Sequence, residues 1–122
     1  MTPLRSSIAA AALAAAAIGC SHNDAPTPLS LADATTRAVY ATDYNATTEH
    51  FDDELKKQAT RASIGELSDR LHALGAFKTI TQVNGVPDRG EYTFDAAFDQ
   101  GHRVVELRID PNGKIGAYRV LK

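Results

Sequence analysis

The groups best suited by type to acid–base chemistry are Glu91, Asp95, Asp99, Glu106, Arg108 and Arg119, all in the last third of the chain. A carboxylate in an enclosed pocket can work as a general base, and its protonated form as a general acid. The same residues alternating along exposed strands form cross-strand ion pairs instead, with Asp95 or Glu106 meeting Arg108 or Arg119. Such pairs contribute under about 1 kcal/mol each. An enzymatic role needs Asp95 or Glu91 turned into an apolar enclosure that raises its pKa. A place facing water beside Arg108 removes that role. Tyr40, Tyr44, Tyr92 and Tyr118 could line a ligand groove, although tyrosines more often bury the ring and leave the hydroxyl wet. Tyr92, Asp95, Arg108 and Tyr118 are the expected ligand or partner surface.

The other reactive types add little. His22, His50, His72 and His102 show no metal-ligand spacing, such as two histidines four apart on a helix. No phosphate loop, nucleophile elbow or Cys–His pair is present in the sequence, so neither metal nor cofactor is expected. A single cysteine, Cys20, excludes an intramolecular disulfide. The formal net charge of −2 provides no excess to attract nucleic acid.

Strands and turns must position the carboxylates and tyrosines. Tyr92, Phe94, Ala96 and Phe98 alternate with Glu91, Thr93, Asp95, Ala97 and Asp99, which predicts a half-buried strand with its aromatics inward and its acids outward. Val105, Leu107 and Ile109 alternate with Val104, Glu106, Arg108 and Asp110 in the next strand. Residues 77–83 and 115–121 are the first and last strands. Asp99-Gln100-Gly101-His102 and Asp110-Pro111-Asn112-Gly113 predict tight hairpins, and a loop from Asn84 to Gly90 joins the first two strands. These connections are too short for parallel crossovers.

Helices precede the strands. Ser30 with Asp33 predicts a capped helix over residues 31–42, with Leu31, Ala34, Ala38 and Ala41 at helical spacing. Asp43 caps a second short helix running to Phe51. Phe51, Leu55 and Ala59 extend an apolar stripe across a break near Asp52. Ser63 and Glu66 fit a capping box, and Ile64, Leu67, Leu71 and Leu74 then share one helix face up to a left-handed stop at Gly75. The expected fold is α+β, with N-terminal helices packed on a curved four-stranded antiparallel meander.

Before the domain, Arg5 is followed by an uncharged apolar run from Ile8 to Ile18, then Gly19, Cys20 and polar residues. This is the pattern of an export signal. The run is too short for the roughly 20 residues that span a bilayer. Ala17-Ile18-Gly19-Cys20 resembles a bacterial lipobox, with Ala17 where Leu is commonest. The resemblance implies diacylglyceryl transfer to Cys20 and cleavage before it. An ordinary secretory signal cleaved after a small residue such as Ala17 is the alternative. The expected organisation is a signal peptide over residues 1–19, a lipidated tether over 20–29 and one domain over 30–122. By resemblance to Gram-negative sorting signals, Ser21 after the cysteine implies an outer-membrane protein facing the periplasm.

The stretch from Arg37 to Lys122 resembles a domain-of-unknown-function family of exported bacterial proteins within the nuclear-transport-factor-2-like, cystatin-related superfamily. The residues that carry the resemblance are Tyr44 with Phe51-Asp52, Leu55-Lys56, Leu67 and Leu71. Gly75-Ala76-Phe77-Lys78-Thr79-Ile80 and Asp110-Pro111-Asn112-Gly113-Lys114-Ile115 complete it. It implies a curved sheet wrapped around helices, sometimes enclosing a pocket, in an accessory module. The expected role is a membrane-anchored envelope lipoprotein that binds an envelope protein or a small ligand. A small pocket enzyme using a strand carboxylate is the alternative.

Overall fold

The computed structural model describes residues 26–122. The Cys20 region, with the signal and most of the tether, lies outside the described residues. Four helices precede a four-stranded sheet: α1 Pro28–Tyr40, α2 Tyr44–Thr48, α3 Asp53–Gln58, α4 Arg61–His72, β1 Phe77–Val86, β2 Glu91–Phe98, β3 Gly101–Ile109 and β4 Ile115–Leu121. The strands pair antiparallel in the order β1-β2-β3-β4, so the expected α+β meander is the observed one.

The two longer helices begin earlier than their sequence signals suggested. Thr27, rather than Ser30, caps α1, and Thr60, rather than Ser63, caps α4. In each case the serine is the third helical residue, and its hydroxyl accepts the threonine N–H in a reciprocal box. Pro28 sits at the first helical position, where its missing N–H costs nothing. Helix α1 buries Leu31, Ala32, Thr35, Thr36, Ala38 and Val39, while Ala34 and Ala41 of the expected stripe are exposed. Asp43 caps α2 as anticipated, but that helix stops at Thr48, and Asp52 starts α3. Phe51, between them, makes an isolated parallel bridge to Ile115.

The β1–β2 connection also differs. The strand runs on to Val86, and a single 3-10 turn, Pro87–Arg89, replaces the expected Asn84–Gly90 loop. Gly90 ends that turn at φ 67°, and a Cβ there would lie 2.2 Å from the Ile109 carbonyl oxygen, so only glycine fits. Register shifts interrupt β1 between Phe77 and Thr79 and between Gln82 and Asn84.

Sheet alternation then sets the core. Phe94, Ala96, Phe98, Val105, Leu107 and Ile115 are buried with Leu31, Val39, Phe51, Leu71 and Ile80 in one cluster on the helix side. Burying each large side chain contributes roughly 1.5–3 kcal/mol. Ser68 of α4, also buried, donates to the Tyr40 carbonyl at 3.2 Å and meets the Thr42 hydroxyl at 2.7 Å. His72 stacks on Tyr40 with ring centroids 3.9 Å apart, and its Nε2–H donates to the same carbonyl at 2.7 Å. These contacts satisfy the C-terminal end of α1 and fix α4 beside it.

Candidate functional site

The four helices lie on one side of the sheet, so its other face meets solvent. The register places Glu91 opposite Arg108 and Ala117, Thr93 opposite Glu106 and Arg119, and Asp95 opposite Val104 and Leu121 on that open face. The first two rows line a shallow hollow of about 430 Å³. Because successive side chains on a strand point to opposite sides, this polar grid is the counterpart of the Phe94–Phe98 core row.

Charges on the grid pair in part as predicted. Glu106 and Arg119 form the expected cross-strand ion pair. Asp95 does not meet Arg108. Its Oδ2 accepts from His102 Nδ1 at 2.9 Å, diagonally across the hairpin. Arg108 turns to Asp110 at 3.6 Å, and the two side chains lie over Gly116. A Cβ at residue 116 would stand 2.3 Å from both Arg108 and Asp110, so the glycine makes room for the pair. Asp99 accepts from the Ala76 N–H at 3.1 Å and pairs with Lys78 at 2.9 Å. Lys78 in turn holds the Asp99 carboxyl below its ordinary pKa, helped by that N–H.

The four residues expected to share a surface are divided between the two faces. Asp95 and Arg108 lie on the open side. Tyr92 packs against the core cluster from β2, and Tyr118 does so from β4 opposite Leu107. The Tyr118 hydroxyl is not wet: it hydrogen-bonds Thr36 of α1 at 2.8 Å, and burial pushes its pKa up. Tyr40 and Tyr44 likewise use their hydroxyls internally, donating to the Gly75 carbonyl at 2.9 Å and the Ala59 carbonyl at 3.4 Å. Asp95 and Glu91, the residues an acid–base mechanism would need, both lie on the solvent face outside any apolar enclosure.

The sequence did not single out the Asp52–Asp110 pair. The Asp52 N–H donates to the Ile115 carbonyl at 2.8 Å, and the Asp52 carboxyl interacts with that of Asp110. The shared hydrogen bond pushes the Asp110 pKa up, with desolvation and the Asp52 charge adding to the shift. Asp52 moves down, through the same bond and the Leu55 N–H it caps at 2.8 Å. The signal was faint: Asp52 and Asp110 each sit where a cap or a turn would place them anyway.

Among the described residues, no group of three or more His, Cys, Asp or Glu could hold a metal ion. Nor is any described helix long and apolar enough to cross a membrane. Fold and surface together define a two-layer α+β domain, with a sheet covered by helices on one face and open, polar and ion-paired on the other. No protein-family model, curated protein or solved structure matches the chain.

Proposed function

We propose that this chain is a lipid-anchored binding module of a bacterial cell envelope. In this reading acyl chains on Cys20 hold it to a membrane, most simply the outer membrane facing the periplasm, and the open sheet face receives a polar ligand or an envelope protein. The observation that carries the binding role is the uncovered face itself. A four-stranded sheet has one side covered by the helices, while the other offers a hollow of about 430 Å³ edged by Glu91, Thr93, Glu106, Arg108 and Arg119. Four of these are charged groups with geometry set by strand register, which suits recognition of a polar partner more than of an apolar one. The anchor is supported by the lone cysteine closing an apolar run of export-signal type. Several acyl chains, at about 0.8 kcal/mol per buried CH₂, give durable attachment. What supports kinship with the nuclear-transport-factor-2-like, cystatin-related superfamily is the order of elements, helices first and then an antiparallel meander.

Site-specific photo-crosslinking in intact cells tests the reading, with the crosslinker at Thr93 on the open face and at Ala34 on α1 as a control. The expected result is a discrete adduct from Thr93 that disappears in Cys20→Ser, together with a mature N-terminus carrying acyl mass on Cys20. An unmodified cysteine overturns the anchor. Equal labelling from both positions, or none from Thr93, overturns the binding face.

A further inference from the structure

The two edges of the sheet are not alike. Edge strands offer unpaired backbone N–H and C=O groups, and proteins usually blunt them with bulges, charge or cover. On β1 the two register shifts do this. On β4 only the first residue is covered: Ile115 donates to the His50 carbonyl at 2.7 Å and accepts from the Asp52 N–H at 2.8 Å. At Asp53 the chain turns into α3, so this parallel pairing ends after a single bridge. From Ala117 to Leu121 the strand is regular, and among the described residues its backbone bonds only to β3.

Beside that bare edge runs an apolar groove of about 380 Å³ between α3, α4 and β4, floored by Leu55, Ile64, Leu67 and Val120. It continues into a second hollow of about 240 Å³ at the Leu121 end, reached past Leu67 and Arg70. Arg70, Arg103 and Lys122 surround this second hollow, and no acidic side chain lines either space. None of these three cations has an ion-pair partner among the described residues, and unlike Lys56, Arg61 and Lys114, which are also unpaired, they gather around one apolar space. The groove therefore combines a strand template, an apolar floor and a net positive end.

We propose that the Ala117–Leu121 edge of β4 is a docking site for an extended peptide segment of another protein, which adds as a fifth strand. Backbone hydrogen bonds to β4 hold the segment, alternate apolar side chains enter the groove, and an acidic end lies among Arg70, Arg103 and Lys122. An extended chain suits this site better than a compact ligand, because the space is a long open trough against unpaired backbone. The site lies at the sheet's edge and does not depend on the open-face reading or on lipidation of Cys20.

The test uses the full chain and a labelled peptide that alternates threonine and valine and ends in two glutamates. A control peptide ends in two lysines. Saturable binding of the acidic peptide is expected, with backbone amide shifts concentrated on Ala117–Leu121. The variant Arg70→Glu/Lys122→Glu, altered only at exposed side chains, should bind the acidic peptide about tenfold or more weakly and gain affinity for the lysine peptide. Equal binding of both peptides overturns the proposal, as does indifference to the charge reversal or amide shifts confined to the open sheet face. Absence of peptide binding overturns it too. In that case, charge-dependent binding to phosphatidylglycerol vesicles would assign the cations to a lipid surface, and concentration-dependent self-association would assign the edge to a second copy of the chain.

Discussion

The Tyr118 hydroxyl meets Thr36 at 2.8 Å from opposite layers of the domain, 82 residues apart in sequence. Thr36 is almost wholly buried, so each hydroxyl depends on the other for a partner. Removing one and leaving the other unsatisfied costs about 1–3 kcal/mol, whereas replacing both with apolar groups is nearly neutral. Tyr118→Phe and Thr36→Val should therefore each destabilise by about 1–2 kcal/mol, and the double variant by clearly less than their sum. Urea unfolding of the four proteins measures this, and simple additivity would show that the two hydroxyls do not act as a pair. Strand alternation was enough to place the Tyr118 ring. That its hydroxyl is not wet escapes the sequence, because its partner lies on a helix far away in sequence and nothing local points to it. The same limit explains Asp95. Its side of the sheet followed from alternation with Phe94 and Phe98, but its diagonal bond to His102 depends on which rotamers the finished hairpin allows.

Secondary elements were more legible than their ends. The four strands and two tight hairpins follow from period and turn residues, and Gly113 takes the left-handed conformation in the second hairpin, at φ 87°. The starts of α1 and α4 lie about one turn before the serine signals, because serine, not glutamate, completes the capping boxes at Thr27 and Thr60. In α4 the apolar stripe is the same for either start, since moving a helix's start does not change which residues share a face. The difference is measurable. Thr60→Ala removes the side chain that accepts the Ser63 N–H at 3.0 Å and should cost about 1 kcal/mol. Glu66→Ala, which would break the box read from sequence, should stay within about 0.5 kcal/mol. Chemical unfolding followed by circular dichroism separates these outcomes, and a larger loss from Glu66→Ala would return the cap to Ser63. The extension of β1 to Val86 escaped the sequence because bulges break its alternation. Ladder pairing with β2, rather than a periodic pattern, keeps that segment extended.

For the molecule as a whole, the helical layer and the sheet are joined at one end by the His50–Asp52 segment. Its backbone bonds to Ile115, and its Asp52 carboxyl bonds to Asp110 beside the β3–β4 hairpin. Two carboxyls share that bond only while one of them keeps its proton. Asp110 has its pKa raised by the bond, so its contribution to stability is full below the unfolded value and fades as pH rises through the folded one. Asp52, with its pKa lowered, behaves in the opposite sense: its contribution is present above the unfolded value and is lost as pH falls through the folded one. The join is thus tightest between the lowered value of Asp52 and the raised value of Asp110, which lie on either side of the ordinary aspartate pKa. Above that window both groups ionise, and Arg108, 3.6 Å from Asp110, offsets only part of their repulsion. Asp110→Asn supplies a permanent donor in place of the shared proton and should raise the melting temperature at pH 7. The gain should shrink to nothing near pH 3, roughly one unit below the ordinary aspartate pKa. Asp52→Asn should show the same trend, since asparagine still caps α3. A gain that is independent of pH, or a loss at neutral pH in both variants, would mean that the two carboxyls do not hold a common proton. The helical layer would then be joined to β4 at this end by the backbone bridge at Phe51 and Ile115 and by the packing of their side chains in the core.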